Sequence, residues 1–304
     1  MSRTLQLCEI RGNPLIQAIS LVFWLLAALV PALADERVRF PSLDEDLTGG
    51  AATELDARLY KPEGDGPFPA VVGMHGCGGR DFLRRDAPYA YVADWAQRLV
   101  ALGYLVLLPD SFRPRGVIEV CTQSPQLVSA VRHRPRDAYG ALAWLRAQPY
   151  VQGDRVFLMG WSNGASATLA TLRADNFKDL RERSGGDFRA AVALYPGCIA
   201  QVKSGWSTKT PLLVMIGEAD DWTPAEPCHE LEQRTKRTGQ PVEFVFYPGA
   251  YHGFDAPDHK PVTRKDVPRA QANGKGVVTI AADPAAREDA IKRVPGFLAR
   301  NGAN

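Results

Sequence analysis

Gly160-Trp161-Ser162-Asn163-Gly164 is the stretch whose reading decides the fold. Ahead of it runs Arg155-Val156-Phe157-Leu158-Met159, apolar and of strand length; behind it, residues 165–172 are small and helix-like. A Gly-x-Ser-x-Gly between a strand and a helix is a nucleophile elbow: the tight turn strains the serine and leaves its Oγ clear at the end of a sheet. The two glycines let strand and helix pass closely. The helix N-terminus adds a positive partial charge where an oxyanion would form.

Working outward, the residues that an attacking serine needs follow in order. The apolar run at 211–216 leads into Gly217-Glu218-Ala219-Asp220-Asp221-Trp222-Thr223-Pro224, and the run at 242–247 leads into Pro248-Gly249-Ala250-Tyr251-His252-Gly253-Phe254. A carboxylate and a histidine therefore sit just past two successive predicted strands, where loops at the carboxyl edge of an α/β sheet gather functional groups. In this order Ser162 is the nucleophile, His252 the base, and Asp220 or Asp221 the group that orients the imidazole. Of the other histidines, His133 and His229 lie in helical stretches, His259 in a polar loop, and His75 at a strand end where it holds a loop. Only His252 directly follows the last predicted strand of this order. Upstream, the buried strand at 69–74 runs into His75-Gly76-Cys77-Gly78-Gly79. Such a loop leaves backbone N–H groups free for an oxyanion, and those of Cys77 and Asn163 are the candidates. Cys77 itself has no neighbour in sequence that lowers its pKa, so it is not read as a nucleophile.

These motifs, together with Pro109-Asp110-Ser111-Phe112, resemble the dienelactone hydrolase family of the α/β-hydrolase superfamily. The resemblance covers most of the chain, down to residues 274–278 and 283–286, which are similar to the family's C-terminal hairpin and closing helix. It implies a mostly parallel central sheet with helices on both faces, and ester chemistry. In that family the acid lies three residues after the glycine ending its strand and four before a proline, which favours Asp220 over Asp221. Three departures stand against dienelactone as the substrate. The family's dienelactone-cleaving enzymes carry cysteine at the elbow, where this chain has Ser162. They have a glutamate in the loop occupied here by residues 75–79, and an arginine four residues past the histidine, where this chain has Ala256.

At the N-terminus, Arg3 and Arg11 precede an apolar core at residues 19–30 that ends in Ala32-Leu33-Ala34. A basic start, an apolar core and an Ala-x-Ala site describe a secretory signal peptide cleaved after Ala34, the rival being an uncleaved anchor. Cleavage leaves 270 residues (304 minus 34), one domain with a sizeable core, at residues 35–304. It also removes Arg3, Arg11 and Glu9, taking the net charge from +2 to +1. That balance argues against nucleic acid as a partner. Expectations are a periplasmic or secreted location, no stable membrane association after cleavage, and a small-molecule ester as partner.

Cys77, Cys121, Cys198 and Cys228 remain, an even count that in an exported protein suggests disulfides with three possible pairings. Cys198 follows the predicted strand at 191–195 and Cys228 lies past the next one, so loops at one sheet edge favour a Cys198–Cys228 bond. Cys77 and Cys121 then pair with each other or stay free thiols.

The rest of the chain alternates strands (54–60, 104–108) with helices at 91–102, 137–147 and 224–236, and Asp283 with Pro284 opens a closing helix. The first of these helices presents Ala93, Trp95, Leu99 and Val100 as its apolar side, the second Ala141, Leu142, Trp144 and Leu145. Residues 176–188 and 255–273 are polar and read as loops or small excursions near the site. Trp161, Trp222 and Phe254 flank the site and fit either an apolar or aromatic pocket or the core, and Arg113 and Arg115 are candidates for an anionic substrate or ordinary solvated loop residues. No metal-binding or cofactor motif is present. The expected function is hydrolysis of carboxylic esters through an acyl-serine, with lactones left open as substrates. A peptidase or acyl-transferring hydrolase on the same three residues is the alternative, and a non-catalytic binding module the competing class.

Overall fold

A computed structural model describes residues 35–80, 89–258, 260–268, 270 and 276–303. The leader expectation, His259, Gly274 and Lys275 lie outside the described residues. Residues 35–304 form one compact unit.

Its elements in chain order are β1 (Asp35–Pro41), α1 (Glu45–Thr48), β2 (Glu54–Tyr60), β3 (Phe68–Met74), α2 (Ala90–Ala101), β4 (Leu105–Pro109), α3 (Arg134–Arg146), β5 (Val151–Trp161) and α4 (Asn163–Thr171). Then come α5 (Lys178–Arg183), β6 (Ala191–Leu194), α6 (Ile199–Lys203), β7 (Leu212–Gly217), α7 (Glu226–Arg237), β8 (Val242–Tyr247), β9 (Val262–Arg264), β10 (Val278–Ile280) and α8 (Pro284–Gly302). Eight strands make one sheet in the order β1-β2-β4-β3-β5-β6-β7-β8, and β9 and β10 form a separate hairpin. From β4 across to β8 every pairing is parallel, while β1 and β2 run antiparallel.

The interior strands follow from composition. All five residues of β4, all four of β6 and all six of β7 are buried, as continuous apolar runs covered on both faces must be. The chain goes from β3 outward to β4, then returns to place β5 on the other side of β3. That reversal opens a crevice at the carboxyl ends of β3 and β5, the position where open α/β sheets bind ligands.

Several local readings are corrected. Strand β1 was not expected: DERVRFP buries only Phe40, and the strand exists because it pairs with β2 along its whole length. The buried stripe of α2 is Val92, Trp95, Ala96 and Leu99, an i, i+3, i+4, i+7 set; Ala93 and Val100 are half-buried beside it. Helix α3 starts at Arg134 with a proline in its first turn, and Trp144 is half-buried, 6.0 Å from the Phe40 ring. Of the two outcomes open for the polar stretches, small excursions hold: that at 176–188 contains α5, and that at 255–273 contains β9. At the start of α8 the Asp283 side chain accepts from the Ala286 N–H at 2.9 Å, as its N-cap position predicts.

Candidate active site

Ser162 joins β5 to α4 with φ 55° and ψ −117°, a left-handed conformation that a β-carbon resists. The glycines around it are steric necessities. A Cβ on Gly160 would lie 2.3 Å from the Gly164 carbonyl oxygen, and one on Gly164 would lie 1.9 Å from that of Met74. Strand β5, helix α4 and strand β3 thus meet closer than any side chain allows, and the strained turn lifts Ser162 over the sheet edge.

Three loops converge there. The Ser162 hydroxyl donates to Nε2 of His252 at 2.8 Å, and Nδ1 of His252 donates to Oδ2 of Asp220 at 2.7 Å. Asp220 is held as a fixed acceptor: its Oδ1 also takes the backbone N–H groups of Trp222 at 2.9 Å and Thr223 at 2.8 Å. Asp221 turns the other way, accepting the Thr279 N–H at 2.8 Å and hydroxyl at 3.0 Å, and so anchors β10. The His252 ring is wedged between Tyr195 and Trp222, with ring centroids 4.6 and 4.8 Å away. All three residues of the relay are buried. A serine hydroxyl, an imidazole and a carboxylate in series can transfer a proton off the hydroxyl as it attacks and return it to a leaving group.

The loop after β3 lies opposite. His75 is fully enclosed, Nδ1 donating to the Gly76 carbonyl at 2.8 Å and Nε2 accepting from the Ser111 N–H at 3.2 Å, so it ties this loop to the one after β4. Burial, with the Arg134 charge nearby, holds its pKa well below the ordinary value, so it stays a neutral strut. Cys77 is disulfide-bonded to Cys121, with Cα atoms 4.9 Å apart, and its carbonyl accepts from the Val120 N–H at 2.8 Å. Among the described residues neither the Cys77 nor the Asn163 N–H has an acceptor, and both residues wall the space in front of Ser162. The second disulfide joins Cys198 to Cys228, with Cα atoms 5.1 Å apart.

Ser162 opens on a cavity of about 150 Å³ walled by Cys77, Cys121, Gln126, Val131 and Trp222 among others. Of the three aromatic residues, Trp222 lines it, whereas Trp161 and Phe254 do not and are buried in the core, the other outcome open from sequence. Arg115 is also taken, bonded to Asp44 at 2.7 Å and Asp137 at 2.6 Å, and Arg113 stands 3.5 Å from Asp110.

Two buried charges beside the site, Asp255 and Arg134, were not singled out from sequence. Asp255, fully enclosed, accepts the indole N–H of Trp95 at 2.8 Å, that of Trp161 at 3.1 Å, and the Tyr195 hydroxyl at 2.8 Å. It thereby braces the residue before Ser162 and the ring packed on His252. Burial pushes its carboxyl above the usual range although three donors pull it down. Arg134, also fully enclosed, donates to the Asn163 side chain at 2.8 Å, and loss of solvent lowers its pKa to about 10. In sequence Asp255 reads as one more polar loop residue; its position directly after the His-Gly-Phe run was the available signal.

Residues 55–301 match the sequence pattern of the dienelactone hydrolase family. The chain is 25% identical over 224 residues to a protein of Methylorubrum extorquens assigned as a carboxymethylenebutenolidase, covering 70% of this chain and 72% of that one. It is 26% identical over 209 residues to the esterase EstD of Thermotoga maritima, covering 69% of this chain but 46% of EstD. In three dimensions it resembles Thermogutta terrifontis esterase 2, solved as its tabun adduct, with a TM-score of 0.58 over 90% of this chain and 97% of that one, at 18% identity. The last likeness is one of fold. With a match running through the elbow, the acid loop and the histidine loop alike, the chain belongs to the dienelactone hydrolase family, carboxylic ester hydrolases of the α/β-hydrolase fold.

Proposed function

We propose that this enzyme cleaves carboxylic esters through Ser162, His252 and Asp220. The carrying observation is the unbroken relay from the serine hydroxyl through the imidazole to a carboxylate, open to a cavity. Ser162 Oγ attacks the ester carbonyl while Nε2 of His252 takes its proton, and Asp220 stabilises the imidazolium. The oxyanion is received by the N–H groups of Cys77 and Asn163, held at the closing of two strands. His252 gives the proton to the departing alcohol, and water, deprotonated by the same imidazole, releases the acid from Ser162. Ala256, buried where dienelactone-cleaving relatives are expected to hold a carboxylate with arginine, turns the reading away from that anionic substrate.

Ser162→Ala tests it. Turnover of p-nitrophenyl esters should fall by ~10⁴–10⁶ with an unchanged melting curve. Paraoxon should add one diethylphosphoryl group to the wild type and none to the variant. Wild-type-like turnover in Ser162→Ala would sink the assignment, and faster cleavage of aminoacyl anilides than esters would make the enzyme a peptidase. Export, with removal of residues 1–34, is part of the same proposal; it is supported by two disulfides, which persist in oxidising compartments. N-terminal sequencing of the secreted protein checks the cut after Ala34.

A further inference from the structure

Arg134 is a fully enclosed cation with little to balance it. Among the described residues its side chain makes two hydrogen bonds, from Nη1 to Asn163 Oδ1 at 2.8 Å and from Nε to Ser111 Oγ at 3.3 Å, and Nη2 has no partner. The carboxylates that act on it from a distance, Asp137 and Asp110, are engaged by other groups. Asp137 takes Arg115 at 2.6 Å and the Ser42 hydroxyl at 2.7 Å. Asp110 accepts the N–H groups of Phe112 and Arg113 at 2.9 and 3.1 Å and stands 3.5 Å from the Arg113 guanidinium. Arg134 also opens α3, where the helix N-terminus already carries positive partial charge. Loss of solvent, the missing counter-ion and the helix end all oppose a charge in this place. Natural proteins break such rules mainly where function needs the group.

Its neighbours indicate the use. Asn163 walls the space in front of Ser162 and carries one of the two N–H groups assigned above to the oxyanion. Its amide oxygen faces the guanidinium, and its Nδ2 donates to Gln126 at 3.2 Å. Gln126 donates to the Val120 carbonyl at 3.0 Å, and the Val120 N–H donates at 2.8 Å to the carbonyl of Cys77, the residue of the other oxyanion N–H. One run of hydrogen bonds therefore joins the cation to both residues. Attack on an ester carbonyl creates negative charge beside Asn163. In a site shielded from water a fixed cation favours that charge far more than it favours the neutral substrate.

We propose that Arg134 is a positioning residue for ester cleavage, a fixed positive charge acting through Asn163 on the oxyanion formed at Ser162. This rests on the ester-hydrolase reading of Ser162 and adds a residue to it.

Two uncharged variants test it. Arg134→Met removes charge and hydrogen bonds together, whereas Arg134→Gln can still donate to Asn163. Turnover is expressed per site titrated with paraoxon, so unfolded protein does not count. On p-nitrophenyl butyrate both variants should lower kcat and kcat/KM together by about tenfold or more with KM little changed, short of the ~10²–10³ lost with a direct donor. A pair of inhibitors reads the oxyanion itself: a propyl trifluoromethyl ketone, which adds to the serine as a charged hemiketal, and the matching methyl ketone, which binds neutral. The preference for the fluorinated ketone should shrink in each variant by the same factor as kcat/KM. If the methionine variant yields no titratable sites, the glutamine variant alone decides. Full turnover in either variant, or lost turnover with the ketone preference intact, overturns the proposal. A wild type that neither cleaves p-nitrophenyl butyrate nor reacts with paraoxon overturns instead the ester-hydrolase reading beneath it.

Discussion

Removing the Asp255 carboxylate should cost substantial stability, and the amount follows from its partners. Asp255→Ala strands two indole N–H groups and one phenol hydroxyl, now bonded at 2.8, 3.1 and 2.8 Å, in a fully buried site. At ~1 kcal/mol for each unpaired donor, the low end of the usual range, the loss is about 3 kcal/mol. For a domain of this size that lowers Tm by about 6 °C or more. Asp255→Asn should lose less than half as much: its Oδ1 can serve both indoles, and the Tyr195 hydroxyl can rotate to accept from Nδ2. The pH dependence has a definite sign. Burial raises the folded-state pKa above the reference 3.8, so the folded protein binds this proton more tightly than the unfolded chain. The carboxyl's contribution is fully present below 3.8 and is lost as pH rises through the folded value. Stability of the wild type relative to Asp255→Asn should therefore rise on acidification. Calorimetry of the three proteins from neutral pH downward reads both effects. If Asp255→Ala melts within about 2 °C of the wild type, the three donors are not left unpaired and the reasoning fails.

The two adjacent acids should separate cleanly. Asp220→Asn should reduce kcat on p-nitrophenyl butyrate by ~10⁴, whereas Asp221→Asn, still able to accept from Thr279, should lose under about tenfold; the reverse ranking transfers the orienting role to Asp221. His75 should contribute an acid-sensitive share of stability. Its folded pKa lies well below the reference 6.5, so that share is present above 6.5 and is lost as pH falls through the folded value. His75→Gln should flatten Tm against pH below 6.5, and an unaltered slope would remove His75 from the account.

What could be read from the chain alone divides along the range of the interactions. The elbow is legible because its constraint is local: Gly160, Ser162 and Gly164 shape one turn, and the clash that forbids other residues lies within a few residues or one strand away. Strands β4, β6 and β7 are legible because full burial leaves an uninterrupted apolar run. Strand β1 is not, since six of its seven residues are not buried and its conformation is imposed by β2. The place of Trp161 is ambiguous in sequence for a related reason. Adjacency to Ser162 suggests a pocket residue, but successive strand side chains point to opposite faces, and the turn at Ser162 leaves the indole below the sheet edge, bonded to Asp255. Asp255 itself finds its partners 160, 94 and 60 residues away, so no spacing rule reaches it. Chemistry that needs a particular atom at a particular turn leaves a motif. The groups that hold that atom still are drawn from the whole chain.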